Sequence, residues 1–309
     1  MPYPTVKHLH IVRRTGMAYM ATQTLAGPPA TYKPTTALNK EKVEEAIQDL
    51  LQETGKQAHA LQLDLADLKA IKQAAEDFQT KETQLHVLFN SAGVMFPPIE
   101  MVTADGYDLQ FGTNVLGHFY FTRLLTPMLL STAASTPGGK VRVINTSSMG
   151  HLMGNKHIDY ETLKDGPQRV KMGTQKLYFQ SKFGNVVFSN ELHRQHGDQG
   201  IVSISLHPGN LKTDLQRHAS TLEKCVTSIM LYPAPMGALT QLYAGTMPQA
   251  AEFGGKVGRR CALASLSLAH TVMQYMIPWA RVGEARKETN DPKVGAELWA
   301  WLESQVKGV

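Results

Sequence analysis

The amino-acid sequence predicts an α/β fold in which a doubly wound parallel sheet carries helices on both faces. Short apolar runs typical of buried strands alternate with longer stretches whose apolar residues recur at helical spacing. The runs end in polar or glycine residues, and no internal repeat or low-complexity tract interrupts the order. Because such a βαβαβ order places helices on both faces of one sheet, we expect a single domain over residues 1–309.

The elements follow one another in a regular order along the chain. The first apolar stretch, residues 8–12, is predicted to be a strand that leads into a turn at Thr15-Gly16. Further buried strands are predicted at residues 58–65, 85–93, 140–148 and 201–209. Helical periodicity is present at residues 41–55, 68–81 and 117–131.

Polar side chains stand at the carboxyl ends of four predicted strands. They are Asp64, Asn90, Ser147 with Ser148, and His207 before Pro208-Gly209. Ligands of open α/β sheets bind beyond the carboxyl ends of the strands. The sequence therefore predicts a binding site along this edge of the sheet.

Tyr178 and Lys182 are four residues apart in a predicted helix, so both side chains lie on one face of it. A free phenol, with a pKa of about 10, exchanges protons poorly at neutral pH. A lysine ammonium one turn away is expected to lower that pKa and to produce a general acid/base for a carbonyl–alcohol pair. The spacing alone is a weak signal, because exposed helix pairs often show it.

The surrounding motifs make the signal specific. In chain order they are NSAG at residues 90–93, Asn114 within FGTNVLGHF, the Ser147-Ser148 pair, Tyr178 with Lys182, and HPGNLKTDL from residue 207. With this set the chain resembles the short-chain dehydrogenase/reductase superfamily, whose fold is Rossmann-like. Within it, the chain is similar to retinol-dehydrogenase-like and fungal short-chain reductases over about residues 40–309.

The resemblance implies a role for each matching residue. Tyr178 would be the proton donor and acceptor, and Lys182 would lower its pKa and hold the cofactor's ribose. Ser148 would hydrogen-bond the substrate oxygen, with Ser147 the less favoured of the pair. Asn114 would hold a water that links Lys182 to solvent, although a simple bridge between backbone segments is the alternative.

The resemblance also implies an NAD(P) cofactor, with NADP favoured over NAD. The implied cofactor-binding residues are Gly16, Lys42, Asp64, Asn90, Tyr178, Lys182, Leu211 and Thr213. Lys42 is the basic residue left to contact a 2′-phosphate, because Leu38 replaces the family's arginine. For Asp64, capping of the helix after its strand is the alternative.

The first loop departs from the family pattern TGxxxGxG. Thr15 and Gly16 match, but the second and third glycines fall on Met20 and Thr22. Side chains there are expected to crowd the pyrophosphate and weaken cofactor binding. The helix after the loop is expected to be short, because Gly27-Pro28-Pro29 interrupts it.

A second departure lies near the C-terminus, where residues 257–274 split what resembles one continuous family ending. Genuine divergence and an imperfect gene model both explain the two departures, and the sequence does not distinguish them.

The favoured function is an NAD(P)-dependent oxidoreductase that interconverts a ketone or aldehyde and an alcohol, with secondary metabolism as one setting. A lipophilic substrate is indicated by apolar residues between Ser148 and Tyr178 and by Met230, Leu231, Tyr232 and Met236. Two alternatives stay open: a cofactor-independent isomerase or dehydratase that uses Tyr178 and Ser148, and a non-catalytic binding protein on the same fold.

Composition argues against several other classes of protein. The net charge is +5 over 309 residues without a block of like charges, so no nucleic-acid partner is predicted. Cys225 and Cys261 form no metal-binding or disulfide pattern, which indicates a reducing compartment, the cytoplasm. Polar residues interrupt the apolar stretch 261–279, so no membrane insertion is expected. By family analogy, we expect a homodimer or homotetramer.

Overall fold

The computed structural model describes residues 7–12, 18–23, 58–211, 231–253 and 275–309, with scattered positions between 44 and 55. Gly16, Lys42, Thr213 and the segment 257–274 lie outside the described residues, so their predicted roles stay predictions.

Within the described residues, one mixed sheet runs through the protein. Its strands are β1 (Lys7–Val12), β2 (Ala18–Gln23), β3 (Ala58–Gln62), β4 (Val87–Asn90), β5 (Val141–Thr146), β6 (Ile201–Leu206), β7 (Tyr275–Ile277) and β8 (Arg281–Gly283). They lie in the order β3-β2-β1-β4-β5-β6-β7-β8. Strands β4 to β7 are parallel, as are β2 and β3. The predicted α/β fold with a parallel-dominated sheet is confirmed.

The N-terminal end of the sheet differs from the prediction. The strand predicted at residues 8–12 is present as β1, which is antiparallel to both β2 and β4. Residues 18–23, however, form β2 and not the helix expected after a glycine loop. Met20 pairs with Ala60 and Thr22 with Gln62 of β3. The predicted placement of Met20 and Thr22 beside a pyrophosphate at a helix N-terminus is therefore wrong in this structure.

The physical reason for β2 is local composition combined with backbone pairing. The segment AYMATQ contains Tyr and Thr, which favour strands. A strand between β1 and β3 also gives its backbone N–H and C=O groups partners on both sides.

The described helices connect and cover the strands. They are α1 (Leu68–Lys81), α2 (Leu109–Phe111), a π-helical turn (Gly112–Gly117), α3 (His118–Ser135), α4 (Pro167–Met172), α5 (Thr174–His196), α6 (Ala234–Thr246) and α7 (Pro292–Val306). The predicted helix at 68–81 is confirmed as α1, and the helix predicted to hold Tyr178 and Lys182 is α5. None of the helices described is both long enough and apolar enough to cross a membrane.

Neighbouring residues of the central strands pack on opposite faces of the sheet. Leu88 of β4 and Val143 of β5 belong to a buried cluster with residues of α1, α3, α5 and α7. Phe89 and Ile144, one position further along the same strands, pack with Ala244 of α6. Because adjacent side chains of a strand point to opposite faces, both faces are buried under helices.

Candidate active site

Four strands bring their polar ends to one edge of the sheet. Strands β3, β4, β5 and β6 run in the same direction, because the two antiparallel pairings of β1 cancel. Asp64 follows β3, Asn90 ends β4, Ser147 follows β5, and His207 follows β6. The sheet therefore has the polar edge that the sequence predicts.

Tyr178 and Lys182 lie together on α5, at the end of β5. Their exposed fractions are 7% and 6%. The Lys182 Nζ lies 5.7 Å from the centroid of the Tyr178 ring and donates a hydrogen bond of 3.2 Å to the carbonyl of Thr146. The predicted shared face of the helix is confirmed, and the ammonium reaches the polar edge of the sheet.

The pKa of Tyr178 shifts opposite to the expected direction. Burial raises it to about 12, because the interior disfavours the phenolate, while a hydrogen bond with the Ser148 side chain acts in the lowering direction. Burial also lowers the pKa of Lys182 to about 8. The net shift is upward because burial outweighs the hydrogen bond with Ser148, and the lowering effect expected of Lys182 stays a prediction. At neutral pH the phenol carries its proton.

The two adjacent serines have different partners. The Ser147 hydroxyl is buried and donates a hydrogen bond of 2.7 Å to the carbonyl of Lys182. Ser148 begins a 3₁₀ turn (Met149–Leu152), and its Oγ accepts a hydrogen bond of 3.1 Å from the Gly150 N–H. Since Ser148 also hydrogen-bonds Tyr178, its placement supports the preference for Ser148 over Ser147 as the substrate-facing serine.

Asn114 lies in the π-helical turn and is fully buried. Its side chain accepts from the Val94 N–H at 2.8 Å and donates to the Val94 carbonyl and to Ser181 Oγ, both at 3.0 Å. Its own carbonyl accepts from Asn185 Nδ2 at 2.6 Å and from His118 Nδ1 at 2.9 Å. These two donors occupy both lone pairs of the carbonyl. The side-chain bonds to Val94 support the alternative in which Asn114 bridges backbone segments, and the predicted water stays a prediction.

Asp64 and Leu211 both lie at the polar edge of the sheet. Asp64 Oδ1 accepts from the Ala66 N–H at 2.9 Å, whereas Asp67 caps α1. The alternative in which Asp64 caps that helix is therefore wrong. Leu211 pairs with Tyr232 in an isolated parallel bridge beyond β6.

The side chain of Asn90 is directed into the protein. It is 1% exposed, and its Nδ2 donates to Thr122 Oγ1 at 3.0 Å and to Asn145 Oδ1 at 2.9 Å. These bonds join β4 to α3 and β5. A direct contact of this amide nitrogen with a cofactor does not fit that arrangement, and the cofactor-binding role of Asn90 stays a prediction.

The residues around Lys182 fit the ribose of a dinucleotide cofactor. A Cβ at Gly93 would lie 2.9 Å from Asn114 Oδ1, which is too close, and 3.6 Å from Lys182 Nζ, so the contact with Asn114 favours glycine beside the ammonium. An ammonium has three N–H donors, and within the described residues its hydrogen bond is the one to Thr146. A buried cation with remaining donors suits ribose hydroxyls.

A second tyrosine and a histidine that the sequence analysis missed lie behind Ser148. Tyr275 of β7 is 1% exposed, and its hydroxyl lies 3.4 Å from the Ser148 carbonyl and 3.3 Å from His151 Nδ1. His207 lies close to His151, and burial lowers its pKa to about 4. Tyr275 follows the segment 257–274 directly and belongs to no motif, so only the pairing of β7 with β6 reveals it.

Comparison with known proteins identifies the family. The family model described as short chain dehydrogenase matches residues 14–224. A short-chain dehydrogenase/reductase of Armillaria gallica is 52% identical over 271 residues, which cover 88% of this chain and 81% of the relative. Human retinol dehydrogenase 13 is 39% identical over 194 residues, which cover 62% of this chain and 55% of the relative.

A solved structure shows the same fold. An uncharacterized protein from Mycobacterium paratuberculosis superimposes with a TM-score of 0.58 at 26% identity, over 86% of this chain and 81% of that one. The chain belongs to the short-chain dehydrogenase/reductase family and is an oxidoreductase. The resemblance drawn from the motifs is confirmed.

Proposed function

We propose that the protein reduces a ketone or aldehyde group of a lipophilic small molecule to the alcohol, with NADPH as reductant. The observation that carries the proposal is the geometry around Tyr178: its buried hydroxyl hydrogen-bonds the Ser148 side chain, and the Lys182 Nζ lies 5.7 Å from its ring centroid. A phenol is protonated at neutral pH, so it can donate a proton to a carbonyl oxygen, which is the direction of reduction.

The residues of the chain act on the carbonyl oxygen and on the cofactor. NADPH, when bound, supplies the hydride that reduces the carbonyl carbon. The hydroxyls of Ser148 and Tyr178, which hydrogen-bond each other, stabilise the charge that develops on the oxygen, and Tyr178 donates its proton there. The Lys182 ammonium stabilises the phenolate that remains, and its other N–H groups hold the ribose.

Aromatic and aliphatic side chains near Tyr178 support an apolar substrate. The ring of Phe96 meets that of Tyr178 edge-on at 5.1 Å, and the Phe179 ring lies 6.2 Å away. The turn after Ser148 exposes three large apolar side chains, those of Met149, Leu152 and Met153. Exposed apolar groups clustered beside a reactive centre are typical of a surface that binds an apolar ligand.

Cofactor binding is tested first, by titration of the purified protein with NADPH and NADH while nicotinamide fluorescence is followed. NADPH is expected to bind more tightly, because Lys42 is available for the 2′-phosphate and the chain carries a net charge of +5. Equal binding of both cofactors would contradict the preference for NADPH. Absence of any binding would contradict the proposed reaction.

The substrate class is tested with a homologous series of linear aldehydes at saturating NADPH. Each methylene buried in an apolar site contributes about 0.8 kcal/mol, so kcat/KM is expected to rise roughly fourfold per added carbon until the site is filled. Short polyhydroxylated aldehydes serve as the control and should react slowly. A series without any dependence on chain length would contradict an apolar substrate.

Two expectations about organisation stay part of the proposal. We infer one domain, which a single cooperative unfolding transition would support. The homodimer or homotetramer expected from the sequence is tested by light scattering on the purified protein.

A further inference from the structure

His151 is buried immediately behind Ser148. It is 1% exposed and lies in the 3₁₀ turn that Ser148 begins. Its Nδ1 lies 2.6 Å from the Ser148 carbonyl, and its Nε2 lies 3.3 Å from the backbone nitrogen of Arg286. A backbone N–H can only donate, so Nε2 must be the acceptor. Nδ1 then carries the proton and donates to the Ser148 carbonyl.

The surroundings keep this histidine neutral, so the donor stays in place. Burial lowers the pKa of His151, and the positive charge of Arg286 acts in the same direction. The other titratable groups that face it are His207, whose pKa is lowered to about 4, and the hydroxyl of Tyr275. The hydrogen bond to the Ser148 carbonyl acts in the raising direction, but burial outweighs it and no carboxylate is among the causes that shift this pKa.

The turn that contains His151 is held from two sides. On one side, the Arg286 guanidinium donates to the carbonyls of Leu152 at 3.2 Å and Gly154 at 2.8 Å. On the other side, the turn packs against the reactive tyrosine, since a Cβ at Gly150 would lie 3.3 Å from the Tyr178 ring. A turn held in this way transmits a change at the Ser148 carbonyl to the Ser148 hydroxyl.

We propose that His151, oriented by Arg286, is a positioning residue of the active site. Its Nδ1–H makes the shortest of three hydrogen bonds to the Ser148 carbonyl, at 2.6 Å against 3.1 Å from the His151 backbone N–H and 3.4 Å from the Tyr275 hydroxyl. This bond aims the Ser148 hydroxyl at the hydroxyl of Tyr178. The inference rests on the proposed reduction for its effect on rate, but the effect on the Ser148–Tyr178 hydrogen bond depends on neither cofactor nor substrate.

Two variants test separately the hydrogen bonds made by the two nitrogens of the His151 ring. In His151→Asn, the amide nitrogen takes the place of Nδ1 and keeps the donor to Ser148. In His151→Gln, the amide reaches the place of Nε2 and keeps the contact with Arg286 while it loses that donor. We expect the Gln variant to lose at least tenfold in kcat with KM and the NADPH Kd within about twofold. The Asn variant should stay within about threefold of the wild type in kcat.

A direct measurement follows the Tyr178 hydroxyl in protein that carries ¹³Cζ-labelled tyrosine. The Tyr178 resonance is assigned by its absence in Tyr178→Phe. It should shift in the Gln variant and stay in place in the Asn variant, with cofactor and substrate both omitted. This readout tests the positioning even if the wild type reduces none of the aldehydes, so failure of the proposed function and failure of the inference are distinguishable.

Equal behaviour of the two variants in the ¹³C spectrum would overturn the proposal. If the Gln variant loses its cooperative unfolding transition, the proposal is tested with the Asn variant only. A folded Asn variant with a displaced Tyr178 resonance and a tenfold loss of kcat would then overturn the inference, and an undisturbed resonance would support it.

Discussion

The polar edge around α5 and the hairpin of β1 and β2 belong to one sheet but are held together differently. At the polar edge, buried side chains bond one another and the backbone: Ser147 to the Lys182 carbonyl, Lys182 to Thr146, and Asn114 to Val94. In the hairpin, the described contacts are the backbone pairs of β2 with β1 and β3 and of β1 with β4. A substitution at the edge should therefore change chemistry, and one in the hairpin should change stability.

The largest effect is expected from Tyr178→Phe. The variant loses the proton donor but keeps the ring, so kcat should fall roughly 10²–10⁴-fold while the NADPH Kd stays nearly unchanged. Steady-state kinetics and fluorescence titration measure the two quantities. Near-full reductase activity in this variant would contradict the role of Tyr178 as proton donor. It would also contradict the assignment of the active site to the polar edge of the sheet.

Lys182→Met should lower activity and raise stability. Loss of the charged donor is expected to reduce both kcat and NADPH affinity, by roughly tenfold or more, since hydrogen bonds to charged groups contribute about 1.5–3 kcal/mol. The wild-type lysine has a pKa lowered from 10.5 to about 8 by burial. Each pKa unit corresponds to about 1.4 kcal/mol, so the free energy of unfolding of the variant at pH 7 should rise by about 1–3 kcal/mol.

The pH dependence supplies the control for Lys182→Met. Below pH 8 the buried lysine is charged and its cost is fully present. Between pH 8 and 10.5 the folded protein gives up a proton that the unfolded chain keeps, so wild-type stability rises with pH over this range. The stability advantage of the variant should therefore disappear near pH 10.5. An advantage that is constant from pH 7 to 10.5 would contradict a buried charge as its origin.

The smallest effect is expected in the hairpin, from Met20→Gly combined with Thr22→Gly. Glycine in a strand interior costs roughly 0.5–1 kcal/mol, so denaturant unfolding should show a loss of about 1–2 kcal/mol. The NADPH Kd should not improve, because both positions lie in β2. Met20→Thr, which keeps a good strand former, is the control and should cost less. Tighter NADPH binding by the double glycine variant would contradict this expectation and would indicate that Met20 and Thr22 lie in a loop that binds the phosphates.

The sequence by itself determined the features that depend on local geometry. Alternating apolar runs predicted the sheet with its helices, and a separation of four residues placed Tyr178 and Lys182 on one face of α5. The motif set identified the family, and the polar strand ends located the edge that holds the site. The elements and the shared face of α5 follow from the period of a helix or strand, which neighbouring residues set, whereas the family follows from the resemblance of the motifs.

Only the tertiary structure decided the features that depend on distant segments. Asn185 reaches Asn114 across 71 residues, and Arg286 reaches His151 across 135. The rise in the Tyr178 pKa comes from burial, to which elements along the whole chain contribute. The strand β2 likewise depends on distant segments, because its backbone pairs with β1 on one side and β3 on the other. Desolvation and strand pairing both depend on which residues lie nearby in the folded protein. Most of those residues are distant in the sequence, so a local stretch of sequence does not identify them.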